Sequence, residues 1–67
     1  MLNWKIIRSK YDCLGYYECK YFGKTYKIIT NIFNFCWDVF CDEKLIGNIH
    51  SNISWHDTPE YAEKIIK

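Results

Sequence analysis

The stretch "NFCWDVFCDEKLIGNIH", residues 34–50, decides the fold. Two runs of alternating apolar and polar residues, "CWDVFC" and "KLIGNIH", flank a short polar segment, and this is the pattern of an antiparallel hairpin. Taking "DEK" as a three-residue loop sets Cys41 opposite Leu45, Val39 opposite Gly47 and Trp37 opposite Ile49. That face is apolar, with a glycine where a bulky residue from another element has room to approach, so it is read as the core face. The other face then pairs Cys36 with His50, Asp38 with Asn48 and Phe40 with Ile46. A slip of one residue would mix the two sets, so the hydrophobic pattern itself specifies the register.

Working outward, "LNWKIIRSKY" alternates with Leu2, Trp4 and Ile6 on one side. "GYYECKYF" places Tyr17, Cys19 and Tyr21 on one face and Tyr16, Glu18, Lys20 and Phe22 on the other. Gly23 supplies the positive φ of a hairpin turn between this run and "TYKIIT", and "NIFN" makes a looser turn into residue 35. Strands are thus expected near residues 2–9, 15–22, 25–30, 35–41 and 45–50. At "DTPE" the period changes. Thr58 as cap with Pro59 in the first turn, or Asp57 as cap with Glu60 three residues on, starts a helix over 58–66. Tyr61, Ala62, Ile65 and Ile66 form its apolar stripe. The expected fold is α+β: one domain, residues 1–67, with a five-stranded antiparallel meander and one C-terminal helix packed on one face.

A chain of 67 residues buries only roughly 60% of its unfolded surface and is marginal without reinforcement. Its content of 49% hydrophobic and 19% aromatic residues supplies one compact core and excludes a disordered chain. The net charge of +1 does not by itself call for a polyanion, but the charge is uneven. Before residue 36 six basic and two acidic residues give +4; from there on three basic and six acidic give −3. Such a bipolar molecule suits docking on a charged partner. "MLNWKIIRSK" has no apolar signal core, and "IITNIFNFCW" is too short and too polar to span a membrane, so a cytoplasmic location is expected. In a reducing compartment Cys13, Cys19, Cys36 and Cys41 are thiols or metal ligands rather than disulfides. Ile, Lys, Asn, Tyr and Phe dominate and Ala62 is the one alanine, a bias toward AT-rich codons that suits a low-GC bacterium or its phage.

Two groups of residues are candidates for function. A single helix covers one face of the sheet, which leaves the other open as a contact surface. Tyr16, Lys20, Phe22, Lys27, Asp38 and Phe40 are its candidate partner-binding residues, with Glu18 and Ile29 among them. The acidic pair Asp42–Glu43 and the outer helix face with Glu60 and Glu63 come next. The second group is a metal centre. Cys36 and His50 face each other at the end of the sheet away from "DEK", and Cys13 and His56 flank the same end, so two thiols and two imidazoles are available for one zinc ion that would staple a small domain. The spacing matches no standard zinc motif. Catalysis is not expected: Gly15, Gly23 and Gly47 form no phosphate loop, no carboxylates are paired for acid–base work, and a Cys36–His50 dyad would need a cleft and an oxyanion hole for which one sheet and one helix give little room.

In size, composition and a strand-rich build ending in "WHDTPEYA", the whole chain resembles the small anti-CRISPR proteins of streptococcal phages that disable type II-A effector nucleases. The resemblance is one of overall character and implies no role for any single residue. It implies a CRISPR effector nuclease as partner and loss of DNA loading or cleavage as the effect. A sheet followed by a helix is also similar to the sheet-reading DNA-binding domains of plant ethylene-response factors and phage integrase arms. On that alternative Lys5, Arg8, Lys20 and Lys27 would meet phosphates, while Tyr16 and Phe22 would stack on bases. Glu18 and Asp38 on the same face, and Arg8 as the one arginine, weigh against it.

Overall fold

The computed structural model of the chain describes residues 2–8, 15–31 and 33–66. Strands β1 (Lys5–Ile7), β2 (Tyr16–Tyr21), β3 (Lys24–Asn31), β4 (Cys36–Cys41) and β5 (Lys44–His50) form one antiparallel sheet in the order β1-β2-β3-β4-β5. A 3₁₀ turn (Trp55–Asp57) leads into helix α1 (Thr58–Ile66). The architecture is the expected meander with one C-terminal helix. β1 is shorter than the sequence pattern suggests, and of the segment after it residues 9–14 lie outside the description.

The core lies between the sheet and α1. Tyr17, Ile28 and Val39 follow one another across β2, β3 and β4 in register, and Ile28 and Val39 are fully buried. Ile49 and Ala62 complete this cluster, with Trp4, Trp37, Ile53 and Trp55 packed around it. The aromatic rings form a chain over the inner face. Trp4 meets Tyr17 edge-on at 6.5 Å, Tyr17 lies 4.5 Å from Trp55, and Trp55 lies 6.0 Å from Trp37. Large rings supply much of the buried area that a short chain otherwise lacks, and such pairs add about 0.5–1.5 kcal/mol each beyond burial.

The β4–β5 hairpin follows the expected register at one end and departs from it at the other. Cys36 pairs with His50, Trp37 with Ile49, Asp38 with Asn48 and Val39 with Gly47, but Phe40 then pairs with Leu45 and Cys41 with Lys44 across a bulge. The loop is therefore the two residues Asp42 and Glu43, not three. Both have positive φ, 49° and 71°, the pattern of a type I′ turn. Asp42 fastens this turn to β3: its amide donates to the Thr25 carbonyl at 2.8 Å, and its Oδ1 accepts from the Thr25 amide at 2.9 Å. A tight turn pinned there leaves one residue of β5 in excess, which the bulge absorbs. Leu45, expected in the core, consequently lies opposite Phe40 on the outer face and is 54% exposed. A glutamate at φ 71° costs about 1 kcal/mol that glycine would not. Glu43→Gly is therefore expected to raise stability by about 1 kcal/mol, read as a higher urea midpoint at unchanged slope.

The helix starts differently from either capping scheme. Thr58 has helical angles (φ −59°, ψ −36°) and its hydroxyl donates back to the Trp55 carbonyl at 2.8 Å. Upstream, Ser54 caps the 3₁₀ turn, its side chain accepting from the His56 amide at 3.3 Å. The helix is also turned about its axis relative to the apolar stripe. Thr58, Pro59, Ala62 and Glu63 are its buried residues, whereas Tyr61 and Ile65 lie near the boundary of exposure at 38% and 36%. Ile65 nevertheless fills the space above Gly47: a Cβ there would come within 3.1 Å of its Cγ2. Glu63, read as an outer-face residue, points inward, and its Oε2 accepts from the Leu2 amide at 3.1 Å and the Trp4 indole Nε1 at 3.2 Å. This carboxylate ties the N-terminal segment to the last turns of the helix.

Candidate functional site

With α1 over the inner face, the pleat directs alternate residues of every strand to the other side. One row across that outer face runs Lys5, Glu18, Lys27, Phe40 and Leu45; the next runs Ile7, Tyr16, Ile29, Asp38 and Asn48. Lys20 lies on the same face beside the β2–β3 turn. Five of the six candidate contact residues, Tyr16, Lys20, Lys27, Asp38 and Phe40, thus share one surface. The sixth, Phe22, occupies the adjoining turn with φ 51° and is 85% exposed.

This surface has two halves. Over β1–β3 charge alternates from Lys5 through Glu18 to Lys27, and the Lys27 ammonium stands 5.4 Å from the centre of the Tyr16 ring. Over β3–β5 it is apolar: Ile29, Leu45 and Ile46 are exposed around half-buried Phe40. The sequence pattern gave this apolar half only Phe40, Ile46 and Ile29. Leu45 joins them because of the bulge, for which residues 44–46 carry no turn or glycine signal.

Asp38 is more tightly held than its neighbours. Its Oδ2 accepts from Asn31 Nδ2 at 3.0 Å, and its Oδ1 accepts from the Cys36 thiol at 3.6 Å. Partial burial, and next the Asp38 charge beside it, push the Cys36 thiol above its ordinary pKa, which keeps it protonated. Asn31 also organises the β3–β4 turn, its Oδ1 accepting from the amides of Phe33 and Asn34 at 3.0 and 3.2 Å. Asparagine at a strand end is a signal for such a turn, though not for the contact with Asp38. Phe33 and Phe35 project from the turn, and Phe35 borders an apolar hollow of about 240 Å³ lined also by Thr30, Cys36, Trp37 and Ser51.

The proposed metal ligands are placed as follows. Cys36 and His50 are cross-strand partners as expected. His50 is exposed, and its Nδ1 accepts from the Asn52 amide at 3.2 Å. His56 is exposed on the 3₁₀ turn, and Cys13 lies outside the described residues. Among the described residues no three His, Cys, Asp or Glu side chains gather as a metal ion would require. Cys19, Cys36 and Cys41 are free thiols. No described helix is long and apolar enough to cross a membrane. Compared with protein-family models, curated proteins and solved structures, the chain matches none.

Proposed function

We propose that this chain is a small binding module that docks its open sheet face on a larger protein and inhibits it. The observation that supports this reading is the composition of the face left uncovered by α1. An apolar patch of Ile29, Phe40, Leu45 and Ile46 adjoins the charged Lys5–Glu18–Lys27 row. An exposed apolar centre with a charged border is the anatomy of a protein interface. The resemblance to anti-CRISPR proteins makes a type II-A CRISPR effector nuclease the first partner to test, with DNA loading or cleavage as the step blocked.

Charge reversal at Lys20 or Lys27 is the experiment. Both residues lie on strands whose core contacts are on the opposite side, so Lys20→Glu is expected to melt like the parent and Lys27→Glu, which would face Glu18, slightly below it, while each loses about tenfold in affinity, the size of one rim or border contact of about 1.4 kcal/mol. Capture of the nuclease from nuclease-treated lysate reads the affinity. Equal capture by both variants would move the contact away from this face.

The alternative, a nucleic-acid binder, draws support from Lys5, Lys20, Lys27 and Tyr16 on one face. It requires a mobility shift that weakens steeply with salt. Glu18 and Asp38, and the apolar half of the face, favour the protein partner.

A further inference from the structure

The chain holds four phenylalanines, and none enters the core, which is built from tryptophan, tyrosine and aliphatic side chains. Phe40 is half-buried on the outer face, while Phe22, Phe33 and Phe35 are 85%, 87% and 76% exposed. In a domain short of core volume, three large rings left in water forgo burial that would stabilise it. Two of them also sit where the backbone resists a bulky side chain. Phe22 has φ 51° as the first residue of the two-residue turn Phe22–Gly23, a position suited to Asn, Asp or Gly, and Phe35 has φ 52° just before β4. At the first of these the ring keeps the neighbouring Tyr21 ring at 4.3 Å, a contact within its own turn. A local rule broken with no evident gain in folding points to function.

The two turns lie at opposite ends of β3. Phe22 stands at one end and Phe33 with Phe35 at the other, separated by the eight residues of the strand, about 25 Å. Between them the outer face carries Ile29 and Phe40. The far turn is fixed to that face by Asn31, which donates to Asp38 Oδ2 and accepts from the Phe33 and Asn34 amides. We infer that Phe22 and the Phe33–Phe35 pair are the two anchors of the outer contact face, and that one folded protein spans both, with an apolar recess for each. This rests on the binding role proposed above. The dimensions argue for a folded protein. A standard interface covers roughly 800 Å² of each partner, a patch about 30 Å across, which reaches both turns. A small ligand reaches one turn, and a single extended peptide covers little of a face five strands, about 20 Å, wide. Anchors held in place before contact lose little entropy on binding, and a few aromatic anchors carry most of an interface's energy.

Phe22→Asn and Phe35→Asn test it, with the purified type II-A effector nuclease as the probe. Asparagine tolerates left-handed angles, so each variant is expected to melt at or above the parent's temperature. Each is expected to bind the nuclease about tenfold more weakly or worse, and the double variant to lose the product of the two. Phe22→Tyr and Phe35→Tyr keep a ring and are expected to bind like the parent. Parent-like binding by either asparagine variant overturns the spanning contact and leaves the wider binding role standing. So does a variant that melts well below the parent, which would assign its ring to folding. A parent that does not bind the nuclease removes the binding role itself, and this inference with it.

Discussion

Ile28→Ala is expected to destabilise the domain by about 3–4 kcal/mol. Ile28 is fully buried on the central strand, between Tyr17 on β2 and Val39 on β4, with α1 reaching β3 from above. Removing its outer carbons leaves a cavity walled by paired strands on both sides, which cannot close in. The total stability of a chain this size is about 3–10 kcal/mol, so one such change removes much of it. The neighbouring Ile29→Ala provides the contrast. Ile29 lies on the outer face, more than a third exposed, and its truncation is expected to cost less than about 1 kcal/mol. Urea titrations of the two variants compare adjacent residues of one strand. Similar losses would mean that the faces of β3 are assigned wrongly.

Glu63→Ala is expected to cost about 3 kcal/mol. The carboxylate is 9% exposed and accepts from two donors of the N-terminal segment, the Leu2 amide and the Trp4 indole. Hydrogen bonds to a charged group are worth about 1.5–3 kcal/mol, and deletion leaves the donors without this acceptor. Glu63→Gln keeps an oxygen in place and is expected to cost about half as much. A second readout does not depend on stability. Burial first, and the Glu63 charge next, push the Cys19 thiol up to about 11. In Glu63→Gln the thiol should ionise at lower pH, measured by its absorbance or alkylation rate; an unmoved titration would separate the two groups. The sign for stability follows from linkage. In the parent the unfolded thiol ionises near 9.0 while the folded one does not, so its contribution is whole below pH 9.0 and is lost as pH rises toward about 11. The loss over that window is about 2–3 kcal/mol at most.

What was legible in the sequence follows the range of the interaction. Alternation in "CWDVFC" and "KLIGNIH" is a local signal, and it yields the strands, the meander, the Cys36–His50 pair and the role of Gly47 under the helix. The Asp42–Glu43 turn was not legible, because glutamate at positive φ has no compositional signature and the clamp that holds it comes from Thr25. The helix rotation was hidden for the same reason. Glu63 meets the indole of Trp4, far away in sequence, and a glutamate beside exposed lysine reads as a surface residue until that partner is known. On the outer face, register alone placed Tyr16, Lys20, Lys27, Asp38 and Phe40 together. The apolar half could not be completed without the bulge.

The meander has a consequence for how the chain assembles. Every ladder joins strands that are neighbours in sequence, so pairing of β2 through β5 closes only short loops, and topology of this kind favours rapid folding. The contact from Glu63 to Leu2 and Trp4 closes almost the whole chain, and forms once the rest has gathered around it. Such a contact is expected to form after the transition state. Its removal should therefore leave the folding rate nearly unchanged and show itself as faster unfolding, with the three residues of β1 exchanging their amide hydrogens ahead of the sheet interior.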